Sequence, residues 1–178
     1  MGILDFFRLR RPVRSTEELV KLRNAAAAMK QAGLRFAEKA GICYRTSDSC
    51  RELIQRIASH PHDSGITARC STVEDSYGCV WILLDGSLDR VIESARAAFD
   101  AVSANACGRD FLCAAFAYTA DDKKVYWIFN SYGKFYPFVP VGEERENDLE
   151  ISLKRELEDV LPLEKSLSQW YPLWGLPL

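Results

Sequence analysis

The sequence predicts an α+β fold: a mostly antiparallel sheet with helices packed mainly on one face, in the order α-ββ-α-ββ-α-βββ-α. Three observations lead there. Apolar runs of strand length occur in pairs, split by turn chemistry. Segments with apolar residues at helical spacing interrupt those pairs. Three closely spaced strands, over 111–118, 125–130 and 135–138, have only short links and so predict an antiparallel meander.

The elements follow in chain order. Residues 1–14 combine Phe6 and Phe7 with Arg10 and Arg11, an apolar segment with a basic end. Such an arm suits weak contact with an anionic membrane surface, or packing on the domain behind it. Residues 15–178 form the predicted α+β domain. Ser15 with Glu18 makes a capping box, and Leu19, Leu22, Ala25 and Met29 share one face of the helix that follows. Residues 34–37 and 41–45 read as two short strands around Glu38-Lys39. Ser49 with Glu52 opens a second helix that ends near His60-Pro61.

Residues 66–73 alternate as a strand. Residues 79–84 are continuously apolar and predict a central strand buried on both faces. Asp85-Gly86-Ser87 breaks that strand and starts a helix lined by Leu88, Val91, Ile92, Ala95, Phe99 and Val102. Residues 40–60 and 78–99 read as a weak repeat of ββα units. The meander then leads into the tail, 132–178, where Pro137 and Pro140 lack a ladder donor and place the last strand at a sheet edge. Asn147 begins a final helix with Leu149, Leu153 and Leu157 on one face, and Glu143 to Glu158 fit a solvated face. The end, with Trp170 and Trp174, is too apolar for water. It either folds back over the core or presents a partner-binding patch.

Composition excludes several functions. The chain has 178 residues with 23 basic and 25 acidic side chains, a net charge of −2. That leaves no overall electrostatic footprint for nucleic acid. No secretory signal and no apolar stretch of about 18 residues is present, so a cytoplasmic protein without a membrane span is expected. Cys43, Cys50, Cys70, Cys79, Cys107 and Cys113 show no C-x-x-C pairing. They are expected as reduced, buried small hydrophobes, and no structural zinc site is expected. No phosphate-binding loop, nucleophile elbow or H-E-x-x-H motif occurs, and no cofactor is implied.

His60 and His62 lie on one loop with Pro61 and Asp63. A solvated loop is the simplest reading. The sharper one is a small-ligand or thiol-dependent enzyme that pairs one histidine with Cys50 or Cys70. A further alternative is a structural dimerisation module, a homodimer with an extensive apolar interface.

The tail carries a long pattern: Phe135 to Phe138, Pro140-Val141-Gly142, Arg145-Glu146-Asn147, Leu161 to Glu164, and Trp170 to Pro177. This pattern, with the start Met1-Gly2-Ile3-Leu4-Asp5, resembles the PspA-associated protein PspAB family of phage-shock-type membrane-stress systems. The resemblance implies an accessory role beside PspA, a coiled-coil, membrane-remodelling protein, with no defined biochemical activity. The first reading that follows is a non-enzymatic adaptor, cytoplasmic or peripheral at the inner face of the membrane. On that reading the partner contacts would be Tyr136, Trp170 and Trp174. The membrane-surface contacts would be Phe6, Phe7, Arg10 and Arg11.

Overall fold

Six strands build the centre of the computed structural model, which describes residues 16–45 and 47–178. In chain order the strands are β1 (Leu34–Tyr44), β2 (Arg69–Glu74), β3 (Val80–Asp85), β4 (Phe111–Ala120), β5 (Lys123–Asn130) and β6 (Phe135–Phe138). They lie in the order β2-β3-β1-β4-β5-β6, and every neighbouring pair is antiparallel. The helices are α1 (Lys21–Asn24), α2 (Ala26–Gln31), α3 (Asp48–Ser59), α4 (Leu88–Ser103) and α5 (Asn147–Leu157). A two-stranded hairpin, β7 (Pro140–Val141) with β8 (Glu144–Arg145), precedes α5. The α+β class, the buried central strand β3 and the β4-β5-β6 meander stand as expected from the sequence.

Four expectations need correction. The first predicted helix is broken into a 3-10 turn, Glu17–Val20, followed by α1 and α2. The two strands around Glu38-Lys39 are one strand. Glu38 takes φ +57°, and the register against β4 shifts between Phe36 and Ala40, so the charged pair is a bulge. The Glu38 carbonyl accepts the Gly86 N–H at 3.0 Å, one position beyond the Lys39–Asp85 pair, so the register against β3 continues while that against β4 shifts. It follows that the repeat of ββα units fails, because the first unit holds a single strand. Third, residues 66–68 stay outside β2. The Thr67 and Ala68 N–H groups donate to Ser94 Oγ of α4 at 3.0 and 2.9 Å instead of to a neighbouring strand. Fourth, Glu150 is buried rather than part of a solvated face.

The alternation of side chains divides the core in two. On one face Ile42, Tyr44, Ile82, Phe116, Trp127 and Phe129 meet Leu22, Met29, Ile54, Ile92 and Phe99 of the helices. On the other, Cys43, Trp81, Cys113, Ala115, Tyr126, Tyr136 and Phe138 meet Trp170, Leu173, Trp174, Leu176 and Leu178 of the tail. The tail therefore takes the place of a second helical layer.

Small residues make that possible. An ideal Cβ on Gly41 would lie 2.9 Å from Trp81 Cε3 and 3.4 Å from Leu178 Cδ2. Trp81 is itself buried and has no free space to move into. Gly41→Ala is expected to cost about 1–3 kcal/mol through overpacking. Urea unfolding measures it, and an unchanged midpoint would show that the layer has slack.

Candidate functional site

The predicted contact aromatics are held by the chain itself. Tyr136 is 1% exposed and Trp170 is 5% exposed, and their rings stack with centroids 6.1 Å apart at 19°. The Tyr136 hydroxyl donates to the Tyr171 carbonyl at 3.0 Å, and Trp170 Nε1 donates to the Glu164 carbonyl at 3.0 Å. Burial pushes the Tyr136 phenol well above its ordinary pKa. Trp174 packs edge-on against Phe138 at 5.2 Å and remains partly exposed. Of the three, then, only Trp174 offers an accessible surface in this conformation. Phe6, Phe7, Arg10 and Arg11 lie outside the described residues.

A charged clamp pins the start of α5 to the tail. Glu150 accepts from the Val139 N–H at 2.8 Å and from Arg145 Nε and Nη2 at 3.1 and 2.7 Å. Arg145 Nη1 donates to the Trp170 carbonyl at 2.6 Å, and its guanidinium lies 5.4 Å from the Phe138 ring centroid. The sequence pattern hides this pair because Glu150 reads as part of an acidic helix face, while Arg145 lies five residues earlier in the second strand of the preceding hairpin.

The histidine loop is a 3-10 turn, Pro61–Ser64, with His60 and His62 both exposed. A cleft beside it, lined by Leu53, Arg56, Ile57, His60 and Asp63, contains no cysteine. Cys50 is joined to Cys107, with Cα atoms 5.8 Å apart, which corrects the expectation of reduced cysteines throughout and removes Cys50 as a nucleophile. Burial raises the Cys70 thiol to about 11, so it stays protonated near neutral pH. Among the described residues, the lining of the cleft beside His60 supplies no thiol to pair with that histidine.

An apolar groove opens where α2 meets β1 and β4. It encloses about 430 Å³, with Met29, Leu34, Phe36, Leu88 and Tyr118 among its walls and Lys30 and Arg35 at its rim. Phe36 and Tyr118 pack with ring centroids 5.2 Å apart. Lys30 and Arg35 are exposed, and Phe36 is half-buried. The Tyr118 hydroxyl is buried and has no hydrogen-bond partner among the described residues. A buried hydroxyl left unpaired is costly, and an incoming acceptor would relieve it. The sequence shows the signal only after folding, since the lining comes from residues up to 92 positions apart.

Among the described residues no helix is long and apolar enough to cross a membrane. The family model described as PspAB, PspA associated protein B, matches residues 1–178. No curated protein and no solved structure matches the chain.

Proposed function

The chain belongs to the PspA associated protein B family, and from that premise we propose that it is a non-enzymatic adaptor that binds a helix of a PspA-type coiled-coil protein. The match over residues 1–178 carries the accessory role. Our choice of contact is the α2-β1-β4 groove, because its chemistry suits one occupant. Apolar walls and a basic rim fit an amphipathic helix whose apolar side chains enter the groove and whose acidic flanks meet Lys30 and Arg35. The exposed edge of Trp174 is a secondary contact. Residues 1–14, with Phe6, Phe7, Arg10 and Arg11, add weak attraction to anionic lipid and keep the complex at the inner face of the membrane.

The test is a titration of the purified full-length chain against the PspA homologue from the same genome. Phe36→Glu is expected to weaken binding at least about tenfold, the loss of one contact worth about 1.4 kcal/mol. Because Phe36 is half-buried, the Lys30→Glu, Arg35→Glu pair supplies a second variant that spares the core. That pair should weaken binding and flatten its salt dependence. Binding that ignores both variants would sink the groove. Loss of binding on removal of residues 1–14 alone would move the contact to the arm.

A further inference from the structure

The face of the sheet beneath the tail gathers three cysteines that the spacing of the sequence keeps apart. Cys43 on β1 stands directly opposite Cys113 on β4. Cys79 enters β3 two positions before Trp81, the β3 residue paired with Cys43. All three are buried. Asp75 reaches the same point from the β2-β3 turn. Ligating atoms of Cys43, Asp75 and Cys79 lie within 4.8 Å of one another.

We propose that Cys43, Cys79 and Asp75, with Cys113 as the fourth donor, form a binding site for a zinc-class divalent metal ion. Tetrahedral zinc holds sulfur at about 2.3 Å and carboxylate oxygen at about 2.0–2.2 Å, so donors around it are close to 4 Å apart. Cys43, Asp75 and Cys79 stand within 4.8 Å of one another, near that spacing, and Cys113, outside that group but opposite Cys43 across the strand pair, would have to move toward it to complete the set. Three thiolates with one carboxylate select zinc and other thiophilic ions over magnesium or calcium.

The supporting shell is built as metal sites require. Asp75 Oδ1 accepts the Tyr77 and Cys79 N–H groups, each at 2.9 Å, and Oδ2 accepts Trp81 Nε1–H at 2.9 Å. These three donors fix the carboxylate: Oδ1 has both lone pairs engaged, and Oδ2 keeps one for an ion. The cysteines belong to the same apolar cluster as Trp170 and Leu178 of the tail, and a bound ion would tie β1 and β4 to the start of β3 on that face of the sheet. Zinc motifs in sequence show ligands paired two to four residues apart. Here only Asp75 and Cys79 come from one turn, and strand register supplies the others.

The experiment uses the full-length protein stripped of metal by a chelator, with its free thiols held reduced, and titrates it with cobalt(II) under argon. The expected result is one equivalent bound, with a sulfur-to-cobalt charge-transfer band and the visible bands of a tetrahedral ion, both bleached by one equivalent of zinc. Cys79→Ser should abolish the bands with the far-ultraviolet circular dichroism unchanged, while Cys70→Ser, outside the cluster, keeps them. Should Cys79→Ser fail to fold, Cys113→Ser is expected to keep one equivalent bound but lower the charge-transfer intensity by about one-third. No spectral change at several equivalents of cobalt, or bands that persist in both cluster variants, would overturn the site.

Discussion

Replacing Arg145 by alanine is expected to lower the unfolding free energy by about 3–5 kcal/mol, the cost of leaving a buried charge without its partner. Glu150 is 2% exposed and Arg145 18%, so water cannot take over the role of the guanidinium. The same change frees the Trp170 carbonyl and removes the cation from the Phe138 ring, which should loosen the tail as well. Urea unfolding followed by far-ultraviolet circular dichroism measures the loss, and tryptophan fluorescence reports whether Trp170 gains water first. Arg145→Met with Glu150→Leu separates charge from packing. Shape-matched apolar replacement of a buried pair is often neutral or better, so the double variant should recover the charge part of the loss but not the cost of leaving the Val139 N–H and the Trp170 carbonyl without their partners. A loss below about 1 kcal/mol for Arg145→Ala would mean that solvent reaches the pair.

Opening the Cys50–Cys107 bridge is the second large effect. The bridge closes a loop of 57 residues that spans α3, β2, β3 and α4. Loop-closure entropy for that length corresponds to roughly 4 kcal/mol, and measured bridges typically return about 2–4 kcal/mol. In a chain of this size that is a Tm lower by roughly 4–16 °C. Cys50→Ser with Cys107→Ser, compared by calorimetry with the oxidised wild type, gives the number. A reductant should bring the wild type down to the level of the variant. If reduction leaves Tm where it was, the bridge contributes nothing and the fold rests on packing alone.

How legible the molecule was in its sequence depends on how local the causes are. The continuous apolar run into β3 and the short links of the meander are local, and both were read correctly. Asp121-Asp122 between β4 and β5 is such a link, and Asp121 takes φ +51° there. The bulge at Glu38 was legible as an interruption but not as its kind. A charged pair inside a strand looks like a break until a partner strand shows that pairing resumes at Ala40.

The groove and the cysteine cluster lay beyond reach for one shared reason. Tyr118 reaches the groove from β4, 82 positions after Phe36 in β1, and Cys113 meets Cys43 across the same strand pair. Register between β1 and β4 places both, and a slip of one residue would send each side chain to the opposite face.

Local sequence was enough for the α+β class, the exclusion of the FYPF segment from the middle of the sheet, and membership of the family through its tail. Those properties depend on composition and on neighbours a few residues apart. Tertiary structure alone decided that the aromatic tail is spent on covering the second face of the sheet. It also decided that Glu150 is buried against Arg145, that Cys50 finds Cys107, and that Cys43 and Cys79 converge on Asp75. Each of these results from contacts between distant parts of the chain, and chain-closure entropy is repaid only when the whole sheet has assembled.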